Sequence, residues 1–99
     1  MSLAEGPAVS LASRLAALGS EPRLRILAEL SRGELHVSEL ARRVGMSRQL
    51  LYLHLAKLEE AGFISGVADV APDGKALKLY SLKEFDLRIN MARILQDVS

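Results

Sequence analysis

At Gly62 the spacing of apolar residues changes, and no other feature of the chain constrains its fold more. Before it, Leu51, Leu55 and Leu58 recur at i, i+4 and i+7, the stripe of an amphipathic helix that Ala61-Gly62 ends. After it, Phe63-Ile64-Ser65-Gly66-Val67-Ala68-Asp69-Val70 and Ala76-Leu77-Lys78-Leu79-Tyr80-Ser81-Leu82 alternate roughly by two, with Ala71-Pro72-Asp73-Gly74 between them. Proline presets the first turn position, aspartate tolerates the second and glycine takes the left-handed one. The segment therefore predicts a β-hairpin that follows a helix.

The residues before this pair of elements read as helices. The first is expected over about residues 9–18, with Ser10 or a neighbour as cap and Gly19 as a left-handed stop. Leu11, Leu15 and Leu18 form one stripe on it, and Ala8, Ala12 and Ala16 a second, small enough for another helix to approach closely. Ser20-Glu21-Pro22 starts a second helix: a serine cap, proline in the first turn and an acid at the positive end of the dipole. That helix carries Leu24, Leu27, Ala28 and Leu30, and Ser31-Arg32-Gly33 closes it. Leu35-His36-Val37 has room for a one-rung edge strand. Ser38 begins or caps a third helix whose Leu40, Ala41 and Val44 face inward, and Gly45 stops it. Ser47 caps the fourth. A last helix is expected over about 84–98, with Leu87, Met91, Ile94 and Val98 on one stripe and Phe85, Ile89, Ala92 and Leu95 on the next. That arc is too wide for a helix resting on one small domain.

The 99 residues suffice for one domain. Aromatics are only 4% of the chain, so Leu, Ala, Ile and Val must build the core. Three of these helices and a hairpin, with a four-residue turn between the third and fourth helices, make a winged helix-turn-helix: mainly α, with a small β-hairpin wing and a closing helix. Three stretches carry a further likeness. They are Leu18-Gly19-Ser20-Glu21-Pro22-Arg23-Leu24-Arg25-Ile26-Leu27; Val37-Ser38-Glu39-Leu40-Ala41 with Val44-Gly45-Met46-Ser47; and His54-Leu55 with Leu58-Glu59-Glu60-Ala61-Gly62-Phe63-Ile64. Over about residues 15–83 the chain resembles the ArsR-type transcriptional regulators. That resemblance implies a DNA-binding regulator whose dimers use the first and last helices.

Duplex DNA is also the partner that physical chemistry suggests. The net charge is only +1, but residues 40–58 hold Arg42, Arg43, Arg48 and Lys57 and no acid. A helix on the outside of such a domain fits the major groove, and its first turns reach base edges. Arg48, Gln49 and Tyr52 face outward there; arginine suits guanine and glutamine suits adenine. Ser47 and the helix N-terminus offer donors to a phosphate. Arg42 and Arg43 would touch the backbone, and Lys57 extends the same face. Lys75 and Lys78 would reach the adjacent minor groove or its phosphates, against the repulsion of Asp69 and Asp73. Leu50 and Leu53 would either meet thymine methyls or simply pack.

A homodimer is expected through Leu11, Leu15, Leu18, Leu87, Met91, Ile94, Leu95 and Val98, apolar side chains that a monomer would leave exposed. Two-fold symmetry then sets the recognition helices about one DNA turn, roughly 34 Å, apart and calls for an inverted-repeat operator. The expected function is a homodimeric repressor at promoters. The competing readings are a winged helix that binds only protein, and a sensor of a ligand held without thiolates.

No metal or other cofactor is expected. The family's cysteine pair falls on Glu34-Leu35-His36-Val37-Ser38, where His36 and Ser38 supply no thiolate, and Glu84, Asp86 and Asp97 on the last helix have no histidine beside them. His36 reads as an ordinary edge residue, and His54 as a packing or capping residue. There is no phosphate-cradling glycine loop and no nucleophile with an evident base, so an enzyme is not expected. With no cysteine, no bilayer-length apolar run and no signal-like N-terminus, a cytoplasmic location without membrane association is expected.

Overall fold

A computed structural model of the chain describes residues 9–98. Ala8, expected on the alanine stripe, lies outside them. The elements are α1 (Leu11–Leu18), α2 (Glu21–Leu30), β1 (Leu35–His36), α3 (Val37–Val44), α4 (Arg48–Glu60), β2 (Ile64–Val70), β3 (Ala76–Leu82) and α5 (Met91–Val98). Serine begins three of the helices: the hydroxyls of Ser10, Ser20 and Ser47 accept the backbone N–H of Ser13, Arg23 and Leu50. Each satisfies one of the first-turn amides that a helix cannot bond internally. Pro22 sits in the first turn of α2, as expected.

Two helix ends differ from expectation. Gly19 has φ −77°, so α1 is not closed by a left-handed residue. Its N–H instead bonds the carbonyls of Leu15 and Ala16, and a Cβ at this position would lie 3.3 Å from the Leu15 oxygen. α3 starts at Val37 rather than Ser38, because His36 is already in extended conformation and makes no side-chain cap.

The core joins α2, α3, α4 and the sheet. Ile26, Leu30, Leu40, Leu51, Leu55, Leu58, Phe63, Ile64 and Tyr80 are buried, with Val44 and Met46 packed against them. On α2 Leu27 and Leu30 are buried as expected and Ile26 joins them, whereas Leu24 is 47% exposed and Ala28 is exposed. The sheet has the order β1-β3-β2 and is antiparallel throughout. Leu35 and His36 pair with Tyr80 and Leu79, and the hairpin register runs from Ile64 opposite Leu82 to Val70 opposite Ala76. At its tip the Gly74 N–H reaches the Ala71 carbonyl at 2.8 Å, with Gly74 at φ 86°. That is the turn Pro72-Asp73-Gly74 predicts.

The last helix is shorter than its apolar stripes imply. Residues 83–90 are not helical, and α5 begins only at Met91, where the Asn90 side chain accepts the Arg93 N–H at 2.8 Å. Phe85, Leu87 and Ile89 recur every second residue between polar neighbours, a period that extended backbone satisfies and a helix does not. Leu87 packs on the core, and the Phe85 ring meets Phe63 edge-on with centroids 4.6 Å apart. The Arg14 guanidinium lies over Phe63, 4.7 Å from its centroid. Past this anchor α5 stands off the body. The radius of gyration is 15.3 Å, against about 13 Å for a compact chain of this length.

Candidate nucleic-acid interface

The α3–turn–α4 unit is fixed from inside. Gly45, at φ 68°, turns the chain, and the N–H groups of Gly45 and Met46 both return to the Ala41 carbonyl. Met46 packs on the core and Ser47 caps α4. Leu51, Leu55 and Leu58 bury one face of α4 almost completely, at 0%, 1% and 0% exposure. Burial of such side chains stabilises by about 1.5–3 kcal/mol each, which holds the rotation of the helix about its axis. Arg48, Gln49, Leu50, Tyr52, Leu53, Ala56 and Lys57 are consequently left exposed.

Not all the expected cations stand free. Arg42 Nε lies 3.0 Å from Glu39 Oε1, and a second guanidinium nitrogen bonds the other carboxylate oxygen. Arg43 Nε reaches the same carboxylate at 2.9 Å and Nη1 reaches Glu29 at 3.5 Å. The bonds to Arg42, and next those to Arg43, hold the Glu39 carboxyl down at about 2, so it stays charged. The stretch that is acid-free along the chain is therefore not acid-free in space. Glu39 sits three and four residues before the two arginines, the spacing at which helix side chains meet, and that spacing could have disclosed the pairing.

The wing differs in the same way. Lys78 Nζ turns back toward Glu59 at 3.9 Å and lies 5.5 Å from the centroid of the Tyr80 ring. Lys75 is exposed near the hairpin tip, its backbone N–H tied to Asp73 Oδ1 at 3.0 Å. Asp69 accepts His36 Nε2 at 2.8 Å; this bond, and then the Val70 N–H, lower the pKa of its carboxyl. His36 is thus a clasp between β1 and the wing rather than an idle edge residue. Lys57 lies away from the first turn of α4, beside a groove lined by Ser10, Ser13 and Arg23.

His54 has the packing role expected of it, through a partner that the sequence does not reveal. Arg23 donates to the carbonyls of Ala17 at 2.7 Å and Ala16 at 3.2 Å, and its Nη1 lies 3.2 Å from His54 Nδ1. Arginine can only donate, so Nδ1 accepts and the imidazole is neutral. Burial, then the Arg23 charge, lowers the His54 pKa. One side chain thereby ties the end of α1 to the middle of α4.

The surfaces expected to pair two chains are partly used within one. Leu11 is 5% exposed and lies in the core, while Leu18 and Leu87 are half-buried against it, so these three have less apolar surface left for a partner. Leu15, Met91, Leu95 and Val98 are 38%, 63%, 59% and 75% exposed, and Ile94 is half-buried. Phe85 and Ile89, from the second apolar stripe, are exposed as well, and so is Val9. Among the described residues no three His, Cys, Asp or Glu side chains gather to hold a metal ion, and no helix is long and apolar enough to cross a membrane.

Helices α3 and α4, joined by a tight turn and followed by a two-stranded wing, define a winged helix-turn-helix protein. Residues 20–65 match the family model described as the bacterial regulatory protein, arsR family. The chain is 35% identical over 75 residues to an HTH-type transcriptional regulator of Methanocaldococcus jannaschii, spanning 75% of this chain and 77% of that one. Reduced HlyU from Vibrio cholerae superposes with a TM-score of 0.63 at 33% identity, over 74% of this chain and 72% of its own. A homodimeric winged helix-turn-helix DNA-binding domain from Mycobacterium bovis, described as a possible ArsR-family regulator, gives a TM-score of 0.65 at 25% identity, over 73% and 62%. The chain belongs to the ArsR family of transcriptional regulators.

Proposed function

We propose that the protein is a cytoplasmic homodimeric repressor that inserts the N-terminal turns of α4 into the major groove at promoter inverted repeats. One observation carries this reading: Arg48, Gln49 and Tyr52 are exposed on the first turns of a helix whose opposite face is sealed into the core. Arg48 and Gln49 are the base readers, and Ser47 with the first-turn amides meets a phosphate. Lys75 is the freest cation of the wing, and Lys78 must leave Glu59 to reach DNA. Arg42 and Arg43 reach phosphate only by exchanging Glu39. Lys57 contributes to the long-range field rather than to a first-turn contact. As in its dimeric Mycobacterium bovis relative, two chains pair, here through Leu15, Met91, Ile94, Leu95 and Val98 with Phe85 and Ile89. A dimer seated on a promoter excludes the transcription machinery from it.

Electrophoretic shifts of promoter duplexes at two salt concentrations, with Arg48→Ala as control, test the reading. Affinity should fall steeply with salt as counterions are released, and Arg48→Ala should lose about 1–3 kcal/mol of sequence preference. Binding that ignores salt, or no shift at all, would favour a protein-binding module. A chain that stays monomeric at micromolar concentration in light scattering would remove the inverted-repeat geometry.

A further inference from the structure

The outermost line of α4 is not polar. At 100° per residue, Gln49, Leu53 and Ala56 lie opposite the buried Leu51, Leu55 and Leu58, and all three are exposed. Leu53 is 67% exposed and Leu50, on the flank, 46%. Single exposed leucines need no explanation, but these lie together on the helix that carries Arg48 and the Ser47 cap. An aliphatic side chain has nothing to offer a phosphate, whose oxygens demand donors. In the major groove its favourable contact is the thymine C5-methyl group, just as glutamine suits the adenine of the same kind of base pair.

We propose that this crest reads A·T base pairs, with Gln49 on adenine and Leu53, seconded by Ala56, on thymine methyl groups; the inference rests on the duplex-binding reading above. Gln49 and Leu53 are four residues apart, roughly 6 Å along the helix axis, which is just under two base-pair steps. They therefore meet different base pairs, about two steps apart, and not the same one. The Glu60 carboxylate, about 10 Å beyond Leu53 along the axis, marks the end of the crest that can lie close to DNA.

The test uses the full chain and the duplex it prefers, recovered by selection from random sequences. Each thymidine of a half-site is replaced in turn by deoxyuridine, which removes only the methyl group. At one or two positions the wild type should lose affinity about threefold to tenfold. In Leu53→Ala that penalty should vanish, while Leu53→Met, which keeps an apolar contact, should retain much of it. Leu53 is exposed, so both variants should melt like the wild type. Duplex binding with no deoxyuridine penalty anywhere overturns this inference and leaves the duplex-binding reading standing. A penalty that persists unchanged in Leu53→Ala also overturns it, as does a Leu53→Ala protein that has lost self-association instead. Failure to bind any duplex in a salt-dependent way overturns both readings together.

Discussion

Replacing Glu39 by Gln should strengthen DNA binding, by an amount the geometry limits. In the native chain one carboxylate holds both Arg42 and Arg43. When Glu39 is neutral, Arg42 has no other acid partner among the described residues, and its side chain is already 70% exposed. Arg43 still has Glu29 at 3.5 Å and is only 35% exposed, so it stays on the body. One cation is freed, not two. Each added phosphate contact steepens the dependence of log K on log salt by about 0.9. Between roughly 50 and 200 mM salt, the variant should therefore lose about 3.5-fold more affinity than the wild type. At the low-salt end it should bind more tightly. Fluorescence anisotropy with a labelled duplex measures both slopes, and Glu39→Gln with Arg42→Gln should return the slope to the wild-type value. An unchanged slope in the single variant would refute the reasoning, because Arg42 would then lie outside the DNA-facing surface. A slope steeper by nearly two would show that Glu29 does not restrain Arg43.

Three further outcomes follow from the packing and the titrating groups. Gly66→Ala would place a Cβ 2.7 Å from the buried Tyr80 ring and 2.8 Å from Lys78 Cε, so the melting temperature should fall by the equivalent of about 1–3 kcal/mol. Leu55→Ala empties a site that is 1% exposed at the centre of α4 and should cost about 2–5 kcal/mol in denaturant unfolding. The His54 pKa is lowered in the folded chain, so the unfolded chain binds its proton more readily. Stability is then complete above pH 6.5 and declines as pH falls below it; Arg23→Leu removes one cause, and NMR should show His54 titrating at higher pH.

The parts of this fold that were legible in the sequence are those where one local rule acts alone. Ser20-Glu21-Pro22 and Ser47 mark helix starts through backbone chemistry within three residues. Leu51, Leu55 and Leu58 declare a buried face because they alone among the leucines of α4 recur at i, i+4 and i+7. Pro72-Asp73-Gly74 fixes a turn by its own dihedral preferences. Residues 84–90 obey two rules at once: their apolar side chains continue the helical stripes of α5, yet they also alternate. The long-range contacts go with the non-helical path: in it Leu87 packs on the core and Phe85 on Phe63. Neither contact has a local signature, and the same is true of Arg23 on His54, 31 residues away.

Charge shows why the candidate interface was less legible than the fold. A count along the chain places Glu39 outside the basic stretch by one residue, whereas a helix places it one turn beneath two of its arginines. Likewise Lys78 precedes the buried Tyr80 by two positions on β3, so the two side chains share a sheet face, and that face points back toward Glu59 on α4. The pairs are exposed and individually weak, and a phosphate can compete for either cation. The native acids thus set how much of the basic surface is available at a given salt. Under the proposed duplex-binding reading, direct base contact falls to Arg48 and Gln49, and Arg42 is the α3 arginine whose release Glu39 controls, while Glu29 still holds Arg43.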